Sequence, residues 1–138
     1  MKINKVFFFL VLFLSILFGI TACTKNIVVE IIDVKPSEAA ELISKHINDP
    51  DFVVLDIRTP DEFSTGHIPG AINIDYYSPD FSEQIRGLEK IKEYLLYCRT
   101  GNRSGKALDI MKKFEFRKVY HLTAGIVGWQ SAGFSLAP

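Results

Sequence analysis

The sequence predicts an α/β fold, a five-stranded and mostly parallel sheet with helices on both faces, and three observations carry that expectation. Short runs rich in β-branched and other apolar residues alternate with stretches whose apolar positions recur at helical spacing, which is how successive strand-helix-strand units read. One such run, Phe52-Val53-Val54-Leu55-Asp56-Ile57, is apolar almost throughout, as a strand covered on both faces has to be. Another, Tyr94-Leu95-Leu96-Tyr97, leads into a polar turn and then a helical pattern, the kind of junction at which open parallel sheets hold their ligands.

The amino-terminal residues stand outside that domain. Lys2 and Lys5 precede an apolar run from Val6 to Leu14 that continues past Ser15 to Ile20, the basic start and apolar middle of a secretory signal. The run is near the lower length limit for a membrane span, but the segment Ile20-Thr21-Ala22-Cys23 resembles the bacterial lipobox, whose cysteine becomes lipidated. That resemblance implies removal of residues 1–22, a diacylglycerol on Cys23, and a protein anchored to a membrane rather than spanning it. Residues 23–26 are then the lipidated cysteine and a polar tether, residues 27–138 are the domain, and the expected location is the bacterial cell envelope, outside the cytoplasm.

Composition agrees with one ordinary domain. The chain has 16 Lys and Arg against 16 Asp and Glu, so the 116 residues after the leader carry a net charge of −2. Nothing in that balance points to nucleic acid, and the length is enough for a core of its own. Of the two cysteines, lipidation consumes Cys23 and leaves Cys98 without a disulfide partner in the chain, outside a reducing compartment.

The elements follow in order. Ile27-Val28-Val29-Glu30-Ile31-Ile32 is the first expected strand. From Pro36 to His46 the positions Ala39, Leu42, Ile43 and Ile47 fall at helical spacing, with Pro36 suited to a first turn. The second strand is Phe52 to Ile57. In Thr59-Pro60-Asp61-Glu62, Thr59 caps a short helix, Pro60 fits its first position and Glu62 reaches back to complete a capping box. Gly66 and Pro69-Gly70 end it, and Ala71 to Ile74 is a brief third strand. A helix over Phe81 to Leu88 and a solvated, mixed-charge connection over Glu89 to Glu93 lead to the fourth strand, Leu95 to Tyr97. Ser104 to Phe114 is a helix with Ala107, Leu108, Ile110 and Met111 on one broad face. Lys118 to His121 is the fifth strand, followed by a glycine-rich turn and a closing helix through Trp129.

The chemistry concentrates at Cys98-Arg99-Thr100-Gly101-Asn102-Arg103-Ser104. A curled loop there can aim successive backbone N–H groups inward, and the following helix adds its positive end, so an anion or a thiolate is stabilised and the thiol pKa is expected to fall. Gly101 permits the left-handed backbone such a curl needs, and Asn102 tolerates it.

These seven residues resemble the active-site loop of single-domain rhodaneses. Other landmarks of that family stand in the same order: Asp56-Ile57-Arg58 with its acidic helix start, Gly66-His67-Ile68-Pro69-Gly70-Ala71, and the closing Leu122-Thr123-Ala124-Gly125-Ile126-Val127-Gly128-Trp129. The resemblance covers about Ile27 to Phe134 and implies a rhodanese-like fold and a sulfurtransferase. Cys98 would take the outer sulfur of an anionic donor such as thiosulfate, then pass it from a persulfide to a thiol or to cyanide. Arg99, Thr100, Gly101, Asn102, Arg103 and Ser104 are the implied substrate-binding loop, Arg99 attracting the donor's anionic end. Arg103 is expected to brace the loop, against Asp56, with Asp56 and Arg58 as loop supports. No cofactor and no metal is implied, and His46 and His121 lack neighbours in sequence at metal-ligand spacing.

Two other readings stay open. Cysteine phosphatases related to this fold place five residues between cysteine and arginine, against four between Cys98 and Arg103. A non-catalytic rhodanese-like module, binding a partner or sensing redox state, is the other. His67 is expected to fix its turn by hydrogen bonding, and Trp129 to belong to the core. Ala124 replaces the first glycine of the family's usual pair, which bears on the fine geometry beside the loop.

Overall fold

The structure, a computed structural model, describes residues 28–138. The expected leader over 1–22, Cys23, the tether and Ile27 lie outside the described residues.

Five strands, β1 (Glu30–Val34), β2 (Phe52–Asp56), β3 (Ile72–Asn73), β4 (Glu93–Tyr97) and β5 (Lys118–Leu122), form one sheet. Their order is β1-β5-β4-β2-β3, and every pairing in it is parallel. Four helices connect them, α1 (Pro36–Lys45), α2 (Pro60–Ser64), α3 (Phe81–Gly87) and α4 (Asn102–Lys113), and α5 (Gly125–Ser131) follows the last strand.

Strand geometry sends alternate side chains to opposite faces, and two cores result. On one face Leu55, Leu96 and Val119 meet Phe81 and Ile85 of α3 and Ala107, Leu108 and Met111 of α4. On the other Val54, Leu95, Tyr120 and Leu122 meet Ala39 of α1 and Ile126 and Trp129 of α5. Leu95 and Leu96 are both fully buried, which is why β4 reads as an unbroken apolar run; truncating either to alanine would cost about 2–5 kcal/mol.

Local signals set the helix starts. Thr59 Oγ1 accepts from the Glu62 N–H at 3.3 Å, and Glu62 Oε2 accepts from the Thr59 N–H at 3.1 Å, the expected capping box around Pro60. The first strand departs from expectation, running over Glu30–Val34 instead of ending at Ile32. It pairs with β5 as far as Val34↔Leu122. As an edge strand, β1 accommodates the polar Asp33, which pairs with His121 in register. The fourth strand likewise begins at Glu93, drawn into the sheet by pairing with Phe52 and Lys118.

Candidate active site

Cys98 follows directly on β4, a strand with sheet neighbours on both sides, and precedes α4. Gly101 sits at the N-cap of α4 with φ +90°, and a Cβ there would lie 2.0 Å from the Thr123 carbonyl oxygen. Only glycine fits, because both the backbone angle and the space exclude a side chain.

The loop is fastened from outside. The Ile126 N–H donates to the Cys98 carbonyl at 2.9 Å and the Val127 N–H to the Arg99 carbonyl at 3.1 Å. With these carbonyls turned toward α5, N–H groups of the curl face the sulfur. The Gly101 N–H donates to Cys98 Sγ at 3.2 Å, and the Ser104 hydroxyl lies 3.4 Å from it. Burial pushes the thiol pKa up. Hydrogen bonds from the Ser104 hydroxyl and from the N–H groups of Ser104, Thr100 and Gly101 more than offset this, leaving it below the ordinary thiol value.

Cys98 is 1 % exposed, more enclosed than its basic sequence neighbours suggested. Arg99, Thr100 and Asn102 are exposed around it and Ser104 is buried, so the rim of the loop is polar and its floor holds the sulfur.

The expected Arg103–Asp56 contact is replaced by another. Arg103 donates from both terminal nitrogens to Glu62, at 2.7 and 2.8 Å. That bidentate bond holds the Glu62 carboxyl at a pKa of about 2, far below its ordinary 4.5, and raises that of Arg103. Asp56, fully buried at the end of β2, is occupied by Arg58. It accepts from the Arg58 backbone N–H at 2.8 Å and from the guanidinium at 2.7 to 3.1 Å. Arg58 in turn donates to the carbonyls of Glu62, at 3.0 Å, and Gly66, at 2.8 Å. Asp56 and Arg58 therefore reach the loop at one remove: they position α2, and Glu62 on α2 positions Arg103.

The landmark residues outside the loop serve as connections. His67 stacks on Phe63 with ring centroids 3.8 Å apart, its Nδ1 is 3.3 Å from the Phe63 carbonyl, and its backbone pairs with Ala137. Trp129 is buried and donates to the Ser135 carbonyl at 2.9 Å. Ala124 has φ −82°, an ordinary helical angle, so a methyl group is accepted at that position. The following Gly125 has φ +57°, and a Cβ on it would lie 2.4 Å from the Arg99 carbonyl oxygen. The second glycine of the pair is the one this loop requires.

One group was considered in sequence only as a metal ligand, and its link to the loop was missed. His121 is 7 % exposed, with Nε2 2.9 Å from Ser104 Oγ and Nδ1 3.1 Å from Asp33 Oδ1. Its signal was present as a polar residue within the buried part of a strand, but its partners are distant in the chain. Among the described residues no group of three or more His, Cys, Asp or Glu side chains is gathered as a metal ion would need.

A sequence profile of the Rhodanese-like domain matches residues 38–132, and the chain belongs to that family. It is 34 % identical over 104 residues to the thiosulfate:glutathione sulfurtransferase of Saccharomyces cerevisiae, covering 67 % of this chain and 73 % of that one. It is also 34 % identical over 87 residues to the tRNA uridine(34) hydroxylase of Pelagibacter ubique, covering 62 % of this chain and only 29 % of that enzyme. A solved rhodanese-related protein from Thermoplasma volcanium is similar with a TM-score of 0.63 and 26 % identity, over 77 % of this chain and 97 % of that one.

Proposed function

We propose that this protein is a sulfurtransferase of the thiosulfate type, carrying sulfane sulfur on Cys98 between an anionic donor and a thiophilic acceptor. The observation that carries the reading is the Cys98 sulfur itself, set at the focus of loop N–H groups with its pKa held down. The Cys98 thiolate attacks the outer sulfur of thiosulfate; the new S–S bond forms as the donor's S–S bond breaks and sulfite leaves with its electron pair. The same N–H groups then hold the persulfide anion. A thiolate, or cyanide, attacks the outer sulfur and releases the Cys98 thiolate. Arg99, exposed on the rim, draws the anionic donor in.

Loop geometry favours sulfur over a phosphoryl group. The paired terminal N–H groups of Arg103 that could grip a phosphate in bidentate fashion are turned to the Glu62 carboxylate instead.

Treatment of the protein with thiosulfate, followed by mass spectrometry, should add one sulfur atom to Cys98 and none to Cys98→Ser, and thiocyanate should form on addition of cyanide. Absence of both products in the intact protein would favour a non-catalytic module; phosphate release from an aryl phosphate, lost in Cys98→Ser, would favour the phosphatase reading.

The proposal extends to place. Lipidation of Cys23 behind Ile20-Thr21-Ala22 would hold the domain at the bacterial cell envelope, outside the cytoplasm. Cys23→Ala should then shift the protein out of the membrane fraction and abolish its labelling by a fatty-acid probe; unchanged fractionation and labelling would count against the anchor.

A further inference from the structure

His121 lies near the carboxyl end of β5, on the sheet face that α4 covers, and it joins Ser104, which bonds the sulfur, to Asp33, which the sulfur-transfer steps leave unused. Its Nε2 is 2.9 Å from Ser104 Oγ and its Nδ1 is 3.1 Å from Asp33 Oδ1. Ser104, fully buried, lies 3.4 Å from Cys98 Sγ. An unbroken polar chain thus runs from the buried sulfur through Ser104 and His121 to Asp33, whose side chain is 70 % exposed on the edge strand. We propose that His121, acting through the Ser104 hydroxyl, is a positioning residue that receives the Cys98 proton and balances the thiolate charge, with Asp33 fixing its ring and opening the path to solvent.

Donor counting gives the chain its direction. Ser104 has one hydroxyl proton and three neighbours that could take it: Cys98 Sγ, His121 Nε2, and the Gly101 carbonyl at 3.2 Å. An ionised Asp33 only accepts, so it selects the His121 tautomer with the proton on Nδ1 and leaves Nε2 bare. In that state Ser104 donates to His121, and the Cys98 thiol has the serine oxygen as its acceptor. When the S–H bond breaks, its proton goes to Ser104 Oγ as the serine's own proton passes to Nε2. One S–H bond is lost, one N–H bond is gained, and the serine ends with a single O–H, now aimed at the thiolate. The product is a thiolate and an imidazolium joined by one hydroxyl, with Nδ1–H still on Asp33. The charge on the sulfur side stays the same when the persulfide anion replaces the thiolate, so the imidazolium can serve both states.

Among the described residues, the groups beside the ring are few. β1 presents Asp33 and β4 presents Leu96 in register with His121. From α4 come Ser104 and Gly105, a Cβ on Gly105 lying 3.9 Å from His121 Cε1; Cys98 is reached through Ser104.

The inference rests on Cys98 being the sulfur carrier, but its test does not require turnover. In the full protein, the rate of Cys98 alkylation by iodoacetamide is followed against pH. His121→Gln keeps a polar partner for Ser104 and cannot ionise, so the alkylation midpoint should move up by about one pH unit, a roughly tenfold loss of thiolate below the midpoint. Ser104→Ala should move it in the same direction, and the double variant should add little to the larger single effect. Asp33→Asn, at an exposed position, should give a smaller upward shift and serves if His121→Gln fails to fold. In the reciprocal measurement, converting Cys98 to an uncharged thioether should lower the pH at which the His121 ring titrates by NMR. Unchanged midpoints in folded His121→Gln or Asp33→Asn, or an unchanged His121 titration after alkylation, would overturn the relay. Persulfide formation with an unshifted alkylation profile would leave sulfur transfer standing and remove the relay alone.

Discussion

The Arg103–Glu62 pair makes a stability prediction with a defined pH window. Substituting Glu62→Gln keeps an oxygen for the Thr59 N–H, so the capping box survives, while the charge facing Arg103 is lost. The folded protein holds the Glu62 carboxyl at about 2 against an ordinary 4.5. At about 1.4 kcal/mol per pH unit, that difference sets a ceiling of roughly 3 kcal/mol. The Glu62 side chain is 29 % exposed and that of Arg103 13 %, so solvent screening brings the expected loss to about 1–2 kcal/mol at neutral pH. Because folding lowers this pKa, the stabilisation is fully present above about 4.5 and drains away as the pH falls toward 2. Denaturant unfolding of wild type and Glu62→Gln should therefore show a gap of about 1–2 kcal/mol at pH 7 that shrinks by more than half at pH 3. A gap that stays constant from pH 7 to pH 3 would mean that the substitution acts through packing and not through the ion pair.

Four further outcomes follow from the same geometry. Gly101→Ala must place its methyl group 2.0 Å from the Thr123 carbonyl at φ +90°, and should both destabilise the protein by more than the about 1–3 kcal/mol of backbone strain and abolish persulfide formation. Gly70→Ala, at φ +79° with nothing within 4 Å, should cost the strain alone and spare the chemistry; equal effects by thermal unfolding would refute the contact. Asp56→Asn leaves the Arg58 guanidinium, 6 % exposed, without its counter-charge and should cost about 3–5 kcal/mol in denaturant unfolding, a loss below 1 kcal/mol being incompatible with that pairing. Tyr97→Phe removes the hydroxyl that accepts from the buried Ile68 N–H at 3.1 Å, and should cost about 1–3 kcal/mol by the same measurement.

What could be read from sequence was local. Thr59, Pro60 and Glu62 announce their helix within four residues, and Cys98 to Ser104 carry the loop consecutively, so strand order of appearance, cap and loop were all legible. The partners of the site were not. Glu62 and Arg103 stand 41 residues apart, and Asp33 and His121 stand 88 apart. The first strand was expected to end at Ile32, one residue short of Asp33, whereas register with β5 keeps Asp33 in the sheet. Asp56 looked available to Arg103, but Arg58, two residues away on the same turn, claims its oxygens first. Ala124 could be recognised as a departure in sequence; only its backbone angle reveals that the position needs no glycine.

The two N–H groups of α5 that fasten the loop, from Ile126 and Val127, also set the order in which reactivity can arise. Cys98 is made well before those residues on a growing chain, and until the last helix docks nothing turns the loop carbonyls outward or gathers N–H groups around the sulfur. A partly folded chain therefore carries an ordinary, mostly protonated thiol. The Cys98 sulfur gains its full set of donors only when nearly the whole domain is assembled, so on the proposed sulfurtransferase reading incomplete chains would be shielded from that chemistry.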